Sequence, residues 1–365
     1  MQWSLRIGRV AGIDLYIHLT FFLVPAVLGY LAYQRSRGDW AFVFQEVAFV
    51  LVIFAIVVLH ELGHALAARR YGIATRDITL LPIGGIARLE RMPDDPKQEL
   101  VVALAGPAVN VALALACFVA LWIQGQVAVV YDLQMPLTGG VFLANLLAVN
   151  VVLVLFNMLP AFPMDGGRVL LALLALRLDY VQATRIAAAV GQGMAVLFGL
   201  AGLFLFNNLL LVVIALFVWI GADQEAGLVR MRHALAGIPV QAAMITQFRT
   251  LAPADPLSRA TAHLLDGFQQ DFPVVADGRV VGLLTRGDLL AALQRGAAGT
   301  VGEVMETKFE TADPRELLDD VFARLQACAC HSLPVLRDGE LVGLVTMDNV
   351  GEFVMVQAAL RGRRA

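Results

Sequence analysis

Two histidines and a glutamate close a long apolar stretch in the segment VVLHELGHALAARR, residues 57–70. On a helix, residues four apart share a face, so His60 and His64 can direct their imidazoles at one metal ion. Glu61 then stands beside the ion, where a carboxylate can take a proton from water and later give it to a leaving amine. The HExxH spacing therefore predicts a zinc-dependent hydrolytic centre.

The same three residues have a second interpretation, in which the helix has already left the membrane at Leu59 and the side chains are solvated like the arginines that follow. Thirteen apolar residues precede His60 without interruption. Three ionisable groups at membrane depth cost several kcal/mol unless something compensates, and a bound dication would do so. The context therefore favours a metal centre.

A catalytic zinc site takes three protein ligands and keeps one position open. Asp165 is the candidate third ligand, because it ends an apolar run in FNMLPAFPMDGGR, where prolines and glycines must break the helix. His18, at the start of the first apolar run, is an alternative ligand. Asn157 lies inside the broken run. Its amide could donate a hydrogen bond to a substrate carbonyl or an oxyanion, or it could form a hydrogen bond with a neighbouring helix.

The rest of the chain is composed to place this centre in a membrane. Hydrophobic residues make up 59% of the 365 residues and charged residues only 16%, unlike an ordinary soluble protein. Apolar runs long enough to cross the hydrocarbon core predict about six spans, one of them broken near its cytoplasmic end. The runs are residues 16–33, 47–68, 100–123, 137–164, 186–206 and 209–222.

Arginine and lysine cluster between the second and third runs and between the fourth and fifth. These loops should therefore be cytoplasmic, together with both ends of the chain, although Arg35 and Arg37 run against the bias. Residues 1–16 supply no apolar core for a signal peptide. We expect a multi-pass protein of the cell (inner) membrane whose site opens towards the cytoplasm. The net charge of −3 argues against a nucleic-acid partner.

Two irregular stretches adjoin the predicted centre. ITLLPIGGIARLE, residues 78–90, is either an ordinary loop or a hairpin whose edge could pair with an extended peptide. AGPAVN, residues 105–110, interrupts the third run with small residues, which favours close helix packing.

After Asp223 the apolar runs stop and an internal repeat begins. Segments around Met244 and Pro273 match segments around Met305 and Pro334, at one constant offset of 61 residues. Each copy predicts a helix, a strand, a glycine turn, a strand and a helix, and is too small to bury a core alone. The predicted domains are a membrane domain at 1–223, a linker at 224–243, and two paired copies at 244–300 and 301–358.

With HELGH, the GG loop, AGPxxN and a broken MDGG in this order, the membrane half resembles the site-2 protease family of intramembrane zinc metalloproteases. The resemblance covers almost the whole chain and is strongest to the branch of the stage IV sporulation protease with a paired CBS domain. It implies a polytopic α-helical membrane protein with a cytoplasmic α/β CBS pair. It further implies that His60, His64 and Asp165 bind one zinc ion, Glu61 activates water and Asn157 assists substrate or transition-state binding.

The repeat is similar to a pair of CBS domains, modules that commonly bind adenine nucleotides between their halves. This resemblance implies ATP or another adenine nucleotide at Thr285 and Asp288, where an aspartate follows a threonine by three residues. The second copy has Thr346 but Asn349 at the matching positions, so one good nucleotide site is expected. A purely structural pair and association into a homodimer are also open.

We therefore expect an intramembrane endopeptidase that cuts a transmembrane segment of another protein, with nucleotide regulation through the CBS pair. One alternative is a CBS-regulated transporter or channel, in which the buried histidines and acids form an ion path. Another is a membrane-tethered nucleotide sensor without catalysis, in which Asp288 would matter and Glu61 would not. The ion-path reading does not explain why the glutamate stands in the general-base position of HExxH. The substrate's identity is beyond the sequence.

Overall fold

The computed structural model describes residues 3–82, 84–93, 95–126, 142–267, 269–296, 299–327, 330 and 332–362. The chain divides into two compact units, Met1–Gly227 and Leu228–Ala365. The apolar helices lie in the first unit, except for the end of the last one, and the internal repeat lies in the second.

A four-stranded sheet opens the first unit, with its strands hydrogen-bonded in the order β1-β2-β3-β4. The strands are β1 (Ser4–Val10), β2 (Ile13–His18), β3 (Thr75–Leu81) and β4 (Gly84–Leu89). The central pair is parallel and the two outer pairs are antiparallel. The stretch at 78–90, for which the sequence left loop and hairpin open, therefore forms the β3–β4 hairpin, and β4 is an edge strand of this sheet.

One face of the sheet packs on helix α2 (Trp40–Arg70), which carries the HExxH residues. Ile13 and Ile78 are buried against Leu62 and Ala65 of this helix. Burial of β-branched residues between sheet and helix is a main source of stability for such a layer. The sheet is thereby fixed beside the predicted centre.

Four helices are long and apolar enough to cross a membrane, by length and composition, among the residues that the structure describes: Trp40–Arg70, Pro96–Ile123, Tyr180–Leu205 and Leu209–Met231. Helix α4 (Phe142–Asn157) is apolar but shorter. The start of the fourth predicted run, residues 137–141, lies outside the described residues. The structure therefore supports a membrane unit without reproducing the predicted number of six spans.

The first predicted span, residues 16–33, is not one helix. Its opening residues end β2, a 3-10 helix follows at Leu19–Phe22, and helix α1 covers only Leu23–Arg35. A short uncharged apolar run is compatible with a strand as well as a helix. Here the run forms a strand because β2 pairs with β1 and β3. The partner β3 lies some sixty residues later in the chain.

The predicted helix break is present between α4, which ends at Asn157, and α5 (Asp165–Ala175). Gly166 and Gly167 lie directly on the backbone of the connecting segment. A Cβ built on Gly166 would be 2.3 Å from the carbonyl oxygen of Leu159. Glycine therefore lets α5 begin in contact with the preceding turn, with Asp165 as its first residue.

The last two apolar helices form a hairpin around Asn207 and Asn208, as the sequence predicts. Helix α6 (Tyr180–Leu200) ends in a π-helical turn, and the side chain of Asn208 accepts the backbone N–H of Leu210 at 2.9 Å to cap α7 (Leu209–Leu235). Helix α7 continues well past the predicted end at residue 222. The residues predicted as a linker, 224–243, thus include the end of this helix.

The second unit contains the paired α/β copies. The first copy comprises α8 (Leu257–Asp266), β5 (Phe272–Ala276), β6 (Arg279–Leu284) and α9 (Arg286–Gln294). The second comprises α10 (Leu318–Ala327), β7 (Ser332–Arg337), β8 (Glu340–Thr346) and α11 (Met347–Gly362). Each copy thus has the order of elements that the repeat predicts.

Equivalent positions of the two copies make equivalent contacts. The Ser332 hydroxyl donates to the carboxylate of Asp271 at 2.8 Å. These two residues are 61 positions apart, the offset of the repeat, so they occupy equivalent positions and meet where the two copies join. A Cβ on Gly282 would lie 2.5 Å from the sulfur of Met305, and the matching glycine and methionine of the other half give 2.7 Å. Each copy therefore closes the core of the other.

Candidate metal centre

Helix α2 places the two histidines away from water. Asp39 begins the helix by accepting the backbone N–H of Ala41 at 2.9 Å. The helix ends at Arg70, so His60 lies about 15 Å before that end at 1.5 Å per residue. His60 and His64 are 7% and 8% exposed, and their Nε2 atoms are 3.1 Å apart.

Asp165 reaches both histidines from the start of α5. Its Oδ2 lies 3.1 Å from Nε2 of His60, and its Oδ1 lies 3.2 Å from Nε2 of His64. Residues 105 positions apart in the chain are thus brought together. The broken helix delivers the aspartate to the position where the sequence predicts a third ligand.

Two acceptors fix the orientation of the imidazole rings. Nδ1–H of His60 donates to Oδ1 of Asn110 at 2.6 Å, and Nδ1–H of His64 donates to the carbonyl oxygen of Val102 at 2.8 Å. Because both partners can only accept, the proton of each neutral ring belongs on Nδ1. Both Nε2 lone pairs then face the carboxylate.

This arrangement fits a divalent cation. Nε2 of His60, Nε2 of His64 and the carboxylate of Asp165 all present lone pairs to one point, and their ligand atoms lie within 4.8 Å of one another. Adjacent ligands of a tetrahedral zinc ion stand about 3.3 Å apart at the usual bond lengths, close to the 3.1 and 3.2 Å separations observed. Lone pairs held this close repel one another unless a positive charge lies between them.

Gly106 of helix α3 (Pro96–Ile123) lies against the ligand atoms. A Cβ at this position would be 2.2 Å from Nε2 of His64 and 2.7 Å from Nε2 of His60. The absence of a side chain therefore keeps open the space in which an ion would sit. On the other helix, Gly63 likewise lets α2 approach α3, since its Cβ would be 2.7 Å from the carbonyl oxygen of Ala105.

Glu61 faces the edge strand β4 and is absent from the ligand group. Its Oε2 accepts the backbone N–H of Ala87 at 3.2 Å. A Cβ on Gly85 would be 2.8 Å from Cγ of Glu61, so the glycine of the GG loop makes room for the carboxylate. Glu61 is thus held beside the centre, with one oxygen bound to a strand and the other without a partner among the described hydrogen bonds.

Two other predicted residues stand outside the ligand group. Asn157 is half-buried at the end of α4, and its amide makes no hydrogen bond within the part of the chain that the structure describes. His18 caps the 3-10 helix and lies 2.7 Å from the hydroxyl of Thr20. The group of described residues able to hold a metal contains His60, His64 and Asp165 without His18.

Sequence reasoning missed the asparagines behind His60. Asn110 is fully buried, and its amide donates to Oδ1 of Asn150 at 3.0 Å; the amide of Asn150 in turn donates to the carbonyl of Leu146 at 2.9 Å. The sequence offers a signal, since Asn110 follows Gly106 by four residues and therefore shares its helix face. AGPAVN thus orients the His60 ring in addition to allowing close packing.

Asn110→Ala is expected to weaken zinc affinity about 10- to 100-fold, because His60 loses the acceptor that fixes its ring. The measurement is competition for zinc between the purified protein and a chromophoric chelator. Asn145→Ala is the matched control, since Asn145 lies on α4 and makes no hydrogen bond among the described residues. An affinity equal to wild type in Asn110→Ala would show that other contacts orient the ring.

A second candidate site lies between the copies of the repeat in the second unit. A cavity of about 990 Å³ is lined from the first copy by Gln270, Asp271 and Arg286, and from the second by Thr346, Asp348, Asn349 and Glu352, among others. The carboxylate of Asp271 already accepts the Ser332 hydroxyl and the backbone N–H of Arg286. Arg286, Asp348 and Glu352 are therefore the charged side chains that remain for a ligand.

The predicted nucleotide residues Thr285 and Asp288 are not in the lining of this cavity. The Thr285 hydroxyl donates to the carboxylate of Asp288 at 2.5 Å and accepts its backbone N–H at 3.1 Å, which caps α9. Thr346 and Asn349 form the same cap in the second copy, and these two do line the cavity. The assignment to Thr285 and Asp288 stays a prediction.

Models of two protein families match the chain. The model described as Peptidase family M50 matches residues 48–201, and the model of the CBS domain matches residues 235–295 and 301–355. The first match contains all the residues of the candidate metal centre. The second covers both copies of the repeat.

Relatives are similar over different lengths. A zinc metalloprotease of Methanocaldococcus jannaschii is 31% identical over 359 residues, 96% of each protein. Stage IV sporulation protein FB of Bacillus subtilis is 30% identical over 138 residues, 38% of this chain and 44% of that protein. A solved structure of the site-2 protease from Methanocaldococcus jannaschii is 35% identical and covers 61% of this chain and 95% of its own, with a TM-score of 0.44.

Proposed function

Because the chain belongs to peptidase family M50, the site-2 proteases, and carries a CBS domain pair, we propose that His60, His64 and Asp165 bind its catalytic zinc ion and that Glu61 is its general base. The protein is a zinc-dependent metalloprotease of the membrane, and membrane proteins are its substrates. The transporter and sensor alternatives are thereby set aside. The observation that carries the ligand assignment is the convergence of the three side chains to within 4.8 Å.

The chemistry of the site follows from the positions of its side chains. A zinc ion supplies Lewis acidity, which makes water easier to deprotonate and polarises the scissile carbonyl. Glu61 is adjacent in sequence to the ligand His60, and its carboxylate is held by the N–H of Ala87. From there it takes a proton from water and later gives it to the leaving amine. Asn157 is the proposed donor to the substrate carbonyl or oxyanion.

The edge strand β4 is the proposed guide for the substrate. A protease must meet its peptide in an extended form, and an exposed sheet edge can pair with such a peptide through main-chain hydrogen bonds. β4 pairs with β3 on one side only, among the described strands. Its residues Gly85 and Ala87 contact Glu61. A peptide paired with β4 would thus lie next to the general base.

The proposed topology has six crossings and a cytoplasmic site. The first crossing is β2 together with α1, and the others are α2, α3, α4, α6 and α7. An even number of crossings places both chain ends on the same side of the membrane. Arg69 and Arg70 close α2, and the other predicted cytoplasmic loops are also rich in arginine. The metal centre then lies inside the membrane, about 15 Å from the end of α2. Cleavage is expected near the cytoplasmic end of the substrate's span.

Removal and return of zinc test the proposed activity. Full-length protein reconstituted with a transmembrane peptide should cut it within its apolar segment, with the cut position read by mass spectrometry. A chelator should reduce cleavage to background, and added zinc should restore it, because the ligand group consists of nitrogen and oxygen donors suited to this ion. Cleavage that survives complete zinc removal would contradict the proposal.

An adenine nucleotide is the proposed ligand of the cavity in the CBS pair. The cavity of about 990 Å³ is at the upper end of the usual size of small-molecule sites, about 300–1,000 Å³. Arg286 is placed to contact a phosphate, and Asp348 to accept from ribose hydroxyls. Pairing of two chains through the CBS unit remains a prediction.

Arg286→Ala is expected to weaken ATP binding about tenfold, the loss of one charge-assisted hydrogen bond. Isothermal titration calorimetry of the full-length protein with ATP measures the dissociation constant. Arg279→Ala, an exposed arginine on β6 outside the cavity lining, is the control. If Asp288→Asn weakened binding and Asp348→Asn did not, the nucleotide would occupy the first-copy position predicted from the sequence.

A further inference from the structure

A partly buried cluster of charges in the first unit has no part in the chemistry described above. Nη1 of Arg168 lies 3.8 Å from Oε1 of Glu99 and 3.7 Å from Oε1 of Glu225. Glu99 is 1% exposed, and its Oε2 accepts the hydroxyl of Tyr180 at 3.4 Å. Oε1 of Glu99 has no hydrogen-bond partner among the described residues.

Two members of the cluster lie one helical turn from residues of the metal centre, one on α5 and one on α3. Arg168 follows Asp165 by three residues on α5, so both side chains share a face of that helix. Glu99 precedes Val102 by three residues on α3, and the carbonyl of Val102 accepts from His64. The ion pair between Arg168 and Glu99 therefore joins the helix of one ligand to the helix that orients another.

Arg168 is the long side chain in the first turn of α5, which otherwise contains Asp165 and two glycines. The N-cap residue Met164 makes no side-chain hydrogen bond to the helix. Gly166 and Gly167 pack their backbone closely on the preceding segment but contribute no side-chain contacts. A metal site loses affinity when a ligand is displaced by about an ångström. The position of Asp165 thus depends on what holds this turn against its neighbours.

We propose that Arg168 is a positioning residue for the metal centre. Its ion pairs with Glu99 on α3 and Glu225 on α7 hold the first turn of α5, so that the Asp165 carboxylate meets both histidine Nε2 atoms. The inference rests on the proposed assignment of Asp165 as a zinc ligand. Arg168 touches neither the ion nor the substrate and acts through the helix.

A purely structural role predicts a different result. A buried carboxylate without a counter-charge destabilises the fold, so Arg168 could be present only to neutralise Glu99. In that case, removing both charges together would restore the protein fully. If Arg168 positions Asp165, removing both charges would restore stability without restoring zinc affinity.

The experiment measures zinc affinity of the metal-free, full-length protein by chelator competition, together with thermal stability. Arg168→Met should lower affinity about tenfold, the lower end for groups that support a ligand, and Arg168→Lys should lower it less. Arg177→Met, at an exposed arginine after the same helix, should leave it unchanged. The double variant Glu99→Gln with Arg168→Met should unfold at a higher temperature than Arg168→Met and still bind zinc about tenfold more weakly than the wild type.

Wild-type zinc affinity of the double variant would overturn the proposal, and it would do so even if Arg168→Met alone did not fold. Glu225→Gln should lower affinity in the same direction, and it should have no added effect when combined with Arg168→Met, because both act through one contact. Full additivity would also contradict the proposed link. A wild-type protein that binds no zinc would instead contradict the proposed function itself.

Discussion

Glu61→Gln is expected to stop cleavage of a membrane peptide while the protein keeps its zinc. Glutamine has nearly the same shape, and its carbonyl oxygen can still accept the N–H of Ala87 that holds Glu61. It cannot take a proton from water. A general base contributes about 10² to 10⁴ in rate, so cleavage should fall by that factor.

The comparison requires activity and metal content from the same preparation. Cleavage of a reconstituted peptide is quantified by mass spectrometry, and zinc by elemental analysis. Glu90→Gln is the control, because Glu90 is exposed directly after β4. Cleavage by Glu61→Gln at the wild-type rate would remove Glu61 from the reaction. Loss of zinc in this variant would instead make Glu61 a ligand.

Gly106→Ala should strongly weaken zinc binding through the addition of one methyl group. The new carbon would lie 2.2 Å from Nε2 of His64, in the space between the ligands. The ring can move away only by giving up the hydrogen bond from its Nδ1 to Val102. Alanine favours a helix by about 1 kcal/mol over glycine, so α3 itself gains helical propensity. We expect zinc affinity to fall about 100-fold or more, beyond the usual effect of a supporting residue.

Gly193→Ala is the matched control for this change. Gly193 also lies inside an apolar helix, α6, and a Cβ there would meet nothing within 4 Å. This variant should bind zinc and cleave like the wild type. Chelator competition and peptide cleavage decide the result. Normal zinc affinity in Gly106→Ala would mean that the ion does not occupy the space between the histidines and α3.

The parts of the site that depend on local chain geometry were predictable from the sequence. His60 and His64 share a face because a helix repeats every 3.6 residues, and no other part of the fold is needed to say so. The helix break before Asp165 was predictable because prolines and glycines end a helix wherever they occur, whereas its meeting with the two histidines was expected from the family resemblance and the lack of other candidate ligands. The structure then brings these local predictions together through the packing of α5 on α3.

The remaining features depend on partners that are distant in the chain. Asn110 orients His60 across 50 residues, and nothing in AGPAVN alone says which side chain its asparagine will meet. In the same way, β2 is a strand because β3 lies beside it, although its apolar residues suit a helix. Periodicity describes one element at a time, whereas these features arise only when two elements pack.

The contact between Asp271 and Ser332 makes the two CBS copies complementary. Two first copies paired in the same way would bring two aspartate carboxylates together, and like charges at that distance oppose each other's ionisation. Two second copies would meet serine to serine and leave no carboxylate for the hydroxyl. Each half, expressed alone, therefore lacks a suitable copy of itself to pair with. The covalent connection between them guarantees that every Asp271 is matched by one Ser332.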